Sequence, residues 1–483
     1  MINLINSNNF NSEQAHETDI LIVGSGINCL SFIEFFNEFN QSNKRITVIE
    51  KGEINKDLFK NERADLNIST NPDNFQNQGM FEFHKKGMNQ SVSGNSPFWG
   101  GRFTRLDKED FIKREWLDND KEWPFSYEEY DEIINDIYKF YRVDNNKNFD
   151  LYHYFSKKHL IKSHNLENKI FFIKFINFYY HLNQKINSIK NIDIFFNAEV
   201  EKLNFHNESI NSINIINKNL KLINIKTQKI ILSAGVLGNI ENLLKFKRNS
   251  NLIDSKNIVG RYVMNHPSGK ILEFKNNNKV FSSMYFGSNF LSLSYRYGIK
   301  GSFDFQKKNQ ITNSLLLFQP YHFLNKYKFS DIYKWSKRKF TANFDKKVNL
   351  NLYLEMLPDI NNKIDLIDNN LKINVNIDKH AYHNTEVLIT ELLNYFGYIK
   401  KDMQKIIENI YLQRSFEDSY HYIGGTIMGD DKKESVVNKD LKHHEIDNLY
   451  VLGASTFPKS GHANPVATQL FLSYRLAKHL YKP

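Results

Sequence analysis

The chain has 483 residues, and its 64 Lys and Arg against 54 Asp and Glu give a formal charge of +10. This length exceeds the roughly 250–300 residues at which a single hydrophobic core stops growing, so we expect two domains. Apolar residues make up 41% and aromatic residues 14%, which excludes a disordered chain. The lysines are dispersed and form no basic motif, so we expect no nucleic-acid partner, while a mild attraction for anionic substrates or membrane surfaces stays open.

The cysteine count and the N-terminus bear on location. The single cysteine, Cys29, excludes an internal disulfide and a cysteine-based metal cluster, and the sequence predicts no metal site. Residues 1–19 are polar and lack the basic start and apolar stretch of a secretory signal. No segment approaches the ~18–20 uninterrupted apolar residues of a membrane helix. We therefore predict no transmembrane segment and a cytoplasmic location.

The first predicted elements are a strand over residues 19–23 and a helix that follows it, joined by a glycine turn. Gly24 permits the tight turn, and Gly26 lets the backbone approach a pyrophosphate at the N-terminus of the helix. Cys29 stands where the usual pattern has a third glycine, and it is small enough to let the helix pack closely on the strand.

A second predicted strand, over residues 45–49, ends in Glu50. A carboxylate at this position can accept hydrogen bonds from the ribose hydroxyls of an adenosine, and it favours free hydroxyls over a 2′-phosphate. The strand, the glycine turn, the helix and the acidic residue together predict a dinucleotide site. They do not separate FAD from NAD.

The C-terminal part contains a second group of polar residues. His421 lies in a predicted loop before a double glycine, where a backbone can pass close to a ligand. Asn464 precedes Pro465, which suits the first turn of a helix that ends near Leu480. Taken alone, Asn464 is more often a helix cap than a site residue, and an isolated loop histidine is more often a surface residue.

This C-terminal block resembles that of the glucose/methanol/choline (GMC) family of flavoprotein oxidoreductases. Four further stretches agree in family order, and the resemblance runs from residue 19 to residue 480, loosely between about 270 and 410. The stretches are residues 91–102, with a Trp-Gly-Gly element, and residues 123–130, 229–235 and 259–267.

The resemblance implies an α/β fold. We expect a Rossmann-like FAD-binding domain that is discontinuous in sequence, together with an α+β substrate-binding domain built on a mixed or antiparallel sheet. The expected FAD-binding domain comprises residues 1–265 and 411–483, with substrate-domain insertions within 110–190. The expected substrate-binding domain comprises residues 266–410.

The resemblance also implies FAD as the cofactor. Phe98 stands where some members carry a histidine that links covalently to the flavin, so we expect a non-covalent cofactor, and Ser93 replaces the first glycine of the usual pair in this loop. His462 and Phe98 are expected near the substrate. The predicted cofactor positions are Gly24, Gly26, Ile27, Asn28, Glu50, Lys51, Ser96, Trp99, Gly100, Val200, Ala234, Gly235, Gly453, Ala454, Asn464, Pro465 and Val466.

The family's active site implies roles for two residues. His421 corresponds to the base that takes the hydroxyl proton while hydride leaves for the flavin, and Asn464 corresponds to the residue that holds the substrate oxygen. The predicted function is oxidation of a primary or secondary alcohol of sugar-like or polyol-like type. The partners are a small-molecule alcohol and an electron acceptor that the sequence does not identify.

Alternatives remain open at this stage. The Trp-Gly-Gly branch favours a dehydrogenase, but an oxygen-using oxidase, a monooxygenase or reductase of another doubly wound family, and a non-catalytic relative are the competing interpretations. Aromatic residues such as Phe318, Tyr321 and Tyr353 could line a substrate pocket, although aromatic residues at such spacing more often form core.

Overall fold

The computed structural model describes residues 2–9, 16–39, 44–54, 75–79, 81–84, 88–143, 161–184, 191–275, 294–320, 347–377, 379–413 and 416–481. The strands are β1 (Ile2–Asn6), β2 (His16–Val23), β3 (Ile46–Ile49), β4 (Phe75–Asn77), β5 (Arg102–Phe103), β6 (Leu166–Ile173), β7 (Ile192–Phe196), β8 (Ala198–His206), β9 (Ser209–Asn217), β10 (Leu222–Leu232), β11 (Arg261–Met264), β12 (Ser268–Lys275), β13 (Ser294–Gly301), β14 (Leu315–Pro320), β15 (Lys347–Tyr353), β16 (Lys363–Ile367), β17 (Asn370–Asn374), β18 (Ile423–Gly425) and β19 (Leu449–Val451). The α-helices are α1 (Ile27–Phe39), α2 (Tyr127–Phe140), α3 (Phe178–Gln184), α4 (Gly235–Phe246), α5 (Phe303–Asn309), α6 (Lys379–Tyr395), α7 (Lys400–Gln413) and α8 (Val466–Tyr481). Among these helices, none is both long and apolar enough to cross a membrane.

The largest sheet has the strand order β1-β7-β3-β2-β10-β9-β8, and β19 pairs with β10 beside this path. Its neighbours from β1 to β10, and β19, are parallel, whereas β9 pairs antiparallel with β10 and with β8. The central parallel strands β3 and β19 and the second half of β2 are buried throughout, as in the fully buried Leu21 and Ile22, whereas the edge strand β1 is mostly half-buried. The strands predicted over residues 19–23 and 45–49 correspond to β2 and β3, and β2 begins earlier, at His16.

Helix α1 is buried on nearly all sides. Its residues from Asn28 to Phe36 are buried, because α8 and the short helix α3 both pack against it. The side-chain amide of Asn28 donates to Gln469 of α8 at 2.8 Å, and the Asn28 carbonyl accepts from the Ser473 hydroxyl at 3.3 Å. A helix that is buried on all sides is expected to lack a polar face. Through these contacts α1, near the start of the chain, packs against α8, near its end.

Neighbouring parallel strands of this sheet, β3, β2, β10 and β19, end at one common edge. The residue that leaves each strand is tied to the strand beside it by backbone hydrogen bonds: Gly24 to Ile49 at 2.8 Å, Ser233 to Val23 at 2.7 Å and Leu452 to Leu232 at 2.8 Å. Open α/β sheets bind their ligands outside the carboxyl ends of the strands. The loops that follow these strands are therefore the expected cofactor loops.

The second large sheet is antiparallel in all its described pairs, in the order β12-β15-β14-β13-β6-β5. Alternate residues of β15, Leu350 and Leu352, pack in one cluster with Leu388 and Leu392 of α6. Because alternate residues of a strand face the same side, one face of this sheet lies against α6. The expected α/β class with a separate mixed or antiparallel sheet is confirmed, and strands β5 and β6 come from the first half of the chain.

A short pairing of β11 with β18 brings distant segments of the chain together. Met264 pairs with Ile423 in antiparallel register. Gly424 has a φ of +78°, and a Cβ there would lie 2.1 Å from the carbonyl oxygen of Tyr262, so this approach requires glycine. The residues just after β11 and just before β18 therefore become neighbours. A three-stranded sheet in the order β16-β17-β4 completes the described strands.

Candidate active site

The side chains of His421 and Asn464 meet in the structure. The amide Nδ2 of Asn464 lies 2.9 Å from Nε2 of His421. The amide oxygen of Asn464 accepts a hydrogen bond from the Thr104 hydroxyl at 3.2 Å, which leaves the amide nitrogen as the donor toward His421. Helix α8 begins two residues later, at Val466, and the Asn464 side chain reaches across the site.

Hydrogen bonds determine which nitrogen of His421 carries the proton. Nε2 of His266 lies 2.9 Å from the carbonyl of Gly461 and 3.4 Å from that of Ser460, so it donates. In a neutral ring the Nδ1 of His266 then accepts, and it lies 3.2 Å from Nδ1 of His421, which must donate. This assignment leaves Nε2 of His421 unprotonated, with its lone pair directed at the amide of Asn464.

Both histidines of this pair are held neutral. Burial lowers the pKa of His421 well below its usual range, and the neighbouring His266 and the positive charge of Arg102 lower it further. Burial also lowers the pKa of His266, although its hydrogen bonds to the carbonyls of Gly461 and Ser460 oppose that effect. A neutral imidazole keeps a lone pair that can accept a proton near pH 7.

The pairing of β11 with β18 positions the two histidines. His266 lies two residues after β11, and His421 lies two residues before β18. The side chain of Asn265 ties the same two segments together, because its amide donates to Asp418 at 2.8 Å and its carbonyl oxygen accepts from the Ser419 hydroxyl at 3.2 Å. Sequence reasoning included residues 265–267 in the family resemblance but gave His266 no role.

The predicted pyrophosphate loop lies at the carboxyl edge of the largest sheet. Gly24 has a φ of +94°, and a Cβ there would lie 2.5 Å from the Cα of Ala234, so the turn requires glycine. No described atom lies within 4 Å of a Cβ built on Gly26. Space at this point, directly before α1, is what a pyrophosphate at a helix N-terminus needs. Cys29 is fully buried, as expected of a residue that lets α1 pack closely.

Glu50 joins this loop to its neighbour. Its Oε2 accepts from the backbone N–H of Ser25 at 3.0 Å and from the Ser25 hydroxyl at 2.7 Å, and its Oε1 accepts from the N–H of Gly52 at 2.8 Å. Burial raises the pKa of Glu50, while these hydrogen bonds oppose the rise. Glu50 therefore fixes the loop geometry, and its contact with a ribose stays a prediction.

The predicted flavin loop packs against the glycine turn. Ser93, where the family pattern has glycine, has a φ of +80°, and the following Gly94 has a φ of +52°. The N–H of Ser93 donates to the Ser25 hydroxyl at 3.1 Å. The loop therefore keeps a backbone conformation that favours glycine, with a serine in the first of the two positions.

Ser96 and Trp99 anchor this loop to the segment that leads into α3. The Ser96 hydroxyl accepts from the N–H of Phe178 at 2.9 Å, and the Trp99 indole donates to the carbonyl of Ile176 at 2.8 Å. These polar atoms bind protein, so their described role is to shape the loop.

The other predicted cofactor positions are distributed over several elements. No described atom lies within 4 Å of a Cβ built on Gly100 or on Gly235, whereas a Cβ on Gly453 would lie 2.8 Å from the side-chain nitrogen of Asn28. Ile27 begins α1, Lys51 follows β3, Val200 lies within β8, Ala234 follows β10, Ala454 follows β19, and Pro465 and Val466 lie at the start of α8. Open space beside Gly26, at the N-terminus of α1, fits the pyrophosphate of a dinucleotide such as FAD, whereas Gly100 and Gly235 are exposed to solvent.

His462 and Phe98, expected near the substrate, are both buried. Nδ1 of His462 lies 3.5 Å from a carboxylate oxygen of Asp107, and neither ring nitrogen has a hydrogen-bond partner among the described residues. Burial lowers the pKa of His462 to about 3, so the ring is neutral. The charged groups near this ring are those of Asp107, Lys169 and Lys300.

Asp107, Asp110 and His462 lie close enough together to share a metal ion. However, the ammonium groups of Lys169 and Lys300 already bind Asp107, the latter at 2.8 Å. Burial and the charge of Asp107 raise the pKa of Asp110 to about 6. Two ammonium groups would repel an added cation, so we assign no metal to this cluster.

A buried ionic network lies beneath the loop that carries Asn464. The guanidinium of Arg114 binds both carboxylate oxygens of Glu355 at 2.7 Å, and it binds those of Asp120 at 3.0 and 2.9 Å. Lys459 donates to Asp120 at 3.0 Å, and all four side chains are 0% exposed. Sequence reasoning missed this network, and its one signal was a lysine within a run of small and apolar residues.

Residues 391–473 match the sequence model of the family described as GMC oxidoreductase. The fructose dehydrogenase large subunit of Gluconobacter japonicus is 42% identical over 62 residues, which is 13% of this chain and 11% of that protein. The gluconate 2-dehydrogenase flavoprotein of Pantoea cypripedii is 43% identical over 58 residues, which is 12% of this chain and 9% of that protein. The chain thus spans only about a tenth of the length of the curated relatives that it matches.

Two solved structures are similar over nearly the whole chain. Pyridoxine 4-oxidase from Mesorbium loti has a TM-score of 0.62 at 13% identity, covering 96% of this chain and 99% of that one. A formate oxidase variant from Aspergillus oryzae RIB40 has a TM-score of 0.63 at 12% identity, covering 96% and 98%. At sequence identities this low, the similarity shows a shared fold and nothing about activity. The chain therefore has the fold of GMC oxidoreductases and carries their C-terminal domain in residues 391–473, and FAD is the cofactor of this family.

Proposed function

We propose that this chain oxidises the CH–OH group of a small sugar-like or polyol-like alcohol, with His421 as the base and Asn464 as the residue that holds the substrate oxygen. The observation that carries the proposal is the contact of 2.9 Å between Nε2 of His421 and the Asn464 amide, with the opposite nitrogen of His421 bonded to His266. This arrangement supplies a basic lone pair and a hydrogen-bond donor side by side.

The two side chains suit a hydroxyl group because a hydroxyl both donates and accepts. An alcohol that enters between them can donate its proton to Nε2 of His421 while its oxygen accepts from the Asn464 amide. Bound FAD supplies the hydride acceptor. The proton and the hydride would thus leave the alcohol in different directions.

The start of helix α8 supports the same proposal. Its first residue, Val466, lies two residues after Asn464, and the last turn contains Lys478 and His479. Unpaired backbone N–H groups and the positive end of the helix dipole stabilise negative charge at an N-terminus. The amides of residues 464–466 would therefore favour negative charge that develops beside Asn464.

The decisive experiment follows bleaching of the flavin when the FAD-loaded protein is mixed anaerobically with alcohols. His421→Ala should slow the bleaching by roughly 10²–10⁴-fold, the usual contribution of a positioned general base. His206→Gln serves as a control because His206 is exposed at the end of β8. Bleaching of His421→Ala at the wild-type rate would refute the assignment of the base.

We further infer that the electron acceptor is not oxygen. The support is the Trp-Gly-Gly element at Trp99–Gly101 and the short segments shared with two proteins named as dehydrogenases. The structurally similar pyridoxine 4-oxidase and formate oxidase are named as oxidases, so the competing function is an oxidase. Anaerobic reduction followed by mixing with oxygen separates the two, because rapid reoxidation would contradict a dehydrogenase.

A further inference from the structure

A cation lies beside the proposed base and takes no part in the proposed proton transfer. Nη1 of Arg102, in β5, donates to the Tyr353 hydroxyl at 2.9 Å, and the guanidinium lies 5.5 Å from the centre of the Tyr353 ring. The Tyr353 ring in turn stacks beside His421, with centroids 6.5 Å apart and planes at 28°. The charge of Arg102 reaches His421 and contributes to its lowered pKa.

Arg102 differs from nearby arginines in its partners. Arg105 pairs with Asp131 at 3.0 Å, and Arg114 pairs with two buried carboxylates. Among the described residues, Arg102 forms no ion pair, and its hydrogen bond to Tyr353 uses one of five N–H donors. A half-buried guanidinium without a carboxylate is unusual, because a buried charge is costly unless it is paired.

We propose that Arg102 and Tyr353 bind an anionic oxygen group, a carboxylate or a phosphate, on the alcohol substrate. The inference rests on the proposed function, since it places the alcohol carbon of the same molecule at His421. The guanidinium fork binds such oxygens through two parallel hydrogen bonds. Because the Tyr353 oxygen accepts from Arg102, its own O–H is available as a further donor.

The formal charge of +10 acts in the same direction, because a basic chain attracts anionic substrates over a distance. A site with an unpaired guanidinium should prefer an acid over its neutral counterpart. Loss of one partner from such a charge-assisted contact typically weakens binding by roughly 10²-fold or more.

The test uses matched pairs of alcohols with the FAD-loaded protein under anaerobic conditions. Glycerate, gluconate and glycerol 3-phosphate are compared with the neutral glycerol and glucitol by their rates of flavin bleaching. Two variants lose one charge each, Arg102→Gln and, as a matched control, Arg105→Gln, whereas Arg102→Lys keeps the charge without the fork. Bound flavin in each variant reports correct folding.

We expect the wild-type protein to prefer one of the anionic alcohols. Faster bleaching by glycerate or gluconate identifies the bound group as a carboxylate, and faster bleaching by glycerol 3-phosphate identifies it as a phosphate. Arg102→Gln should reduce the preference for the anion by roughly 10²-fold, Arg102→Lys should retain part of it, and Arg105→Gln should keep it. Equal or better bleaching by the neutral alcohols, or an unchanged preference in Arg102→Gln, would overturn the inference.

A second measurement separates this inference from the proposed function. Non-reacting carboxylates and inorganic phosphate are titrated against the bound flavin, whose visible spectrum reports occupancy of the site. Tight binding in the wild type that is lost in Arg102→Gln supports the anion site even if no alcohol is oxidised. Absence of any alcohol-dependent bleaching, in contrast, refutes the proposed function alone.

Discussion

At the scale of single residues, Ser93 carries backbone strain in the loop beside the glycine turn. Its φ of +80° is costly for a residue with a side chain, and its buried hydroxyl has no hydrogen-bond partner among the described residues. Ser93→Gly should therefore raise the free energy of unfolding by about 1 kcal/mol, measured by urea denaturation of the flavin-loaded protein.

Asn207 provides the control for Ser93. It has a φ of +54° in the turn between β8 and β9, but asparagine tolerates this conformation. Asn207→Gly should change stability by less than about 0.5 kcal/mol. An equal gain in both variants would show that Ser93 is not specially strained.

His266 determines the tautomer of His421, and removing it should change the chemistry more than the binding. His266→Phe deletes the acceptor for the Nδ1 proton of His421, so the ring can protonate on the wrong nitrogen. We expect flavin reduction to slow by roughly 10–10²-fold, with the flavin content and the apparent substrate affinity nearly unchanged.

The conservative variant tests this positioning role. His266→Gln retains one donor for the Gly461 carbonyl and one acceptor for His421, so it should recover part of the rate. The pH profile of reduction should also change in His266→Phe, because the Nδ1 proton of His421 loses its hydrogen-bond acceptor. If His266→Phe and His266→Gln reduced the flavin at the same rate and with the same pH profile, the assigned tautomer would be contradicted.

The sequence was informative about the residues of this site and uninformative about their hydrogen bonds. His421 and Asn464 follow from a local motif, and so does the glycine turn at Gly24. Thr104 lies 360 residues from its partner Asn464, and His266 lies 155 residues from its partner His421, so no local spacing reveals them. Long-range hydrogen bonds of this kind depend on strand pairing, which sequence periodicity does not specify.

At the scale of elements, the buried network of Arg114 joins three segments that meet beneath the active-site loop. Glu355 follows β15, Asp120 precedes α2, and Lys459 precedes the loop to Asn464. Arg114→Met should reduce the free energy of unfolding by about 3–5 kcal/mol, because it leaves buried carboxylates without their cation. Denaturant unfolding of the flavin-loaded protein measures the effect.

Arg105 offers a comparison for this prediction. Its ion pair with Asp131 is partly exposed, with 30% and 37% of the two side chains accessible. Arg105→Met should therefore cost about 1 kcal/mol or less for the ion pair. If Arg114→Met and Arg105→Met lowered the free energy of unfolding equally, the buried network would contribute no more to stability than a partly exposed ion pair.

Elements differed in how well the sequence predicted them. The parallel strands β2 and β3 were predicted to within a few residues, because continuous apolar runs mark strands covered on both faces. The two-residue strand β5 was not predicted, because its existence depends on pairing with β6 at Ile173, far along the chain. Of the three aromatic residues for which the sequence left open a pocket or a core position, Tyr353 lies beside His421, whereas the side chain of Phe318 and all of Tyr321 fall outside the described part of the chain.

At the scale of the whole molecule, buried histidines couple stability to pH. Burial lowers the pKa of His443 to about 4, and its ring nitrogens bond to the carbonyl of Ile253 at 3.0 Å and to the N–H of Glu445 at 3.1 Å. Burial also lowers the pKa values of His266, His421 and His462. The fold therefore keeps several imidazoles neutral.

The sign of the effect follows from proton binding. Between pH 6.5 and about 4 the unfolded chain protonates His443 while the folded protein does not, so the unfolded state binds more protons and stability falls as the pH falls. Two buried carboxyls act in the opposite direction, because the pKa values of Glu50 and Asp110 are raised in the folded state. The change of total stability with pH is the sum of these opposing contributions. Comparing the wild-type protein with a variant that lacks one titrating group isolates the contribution of that group.

His443→Gln removes the titrating group while an amide can still donate to Ile253. Relative to this variant, the wild-type protein should lose about 2 kcal/mol of its stability between pH 7.5 and pH 5, since each pKa unit corresponds to about 1.4 kcal/mol. Urea unfolding of both flavin-loaded proteins at the two pH values measures the difference. A difference that does not change with pH would mean that the folded protein protonates His443 as readily as the unfolded chain does.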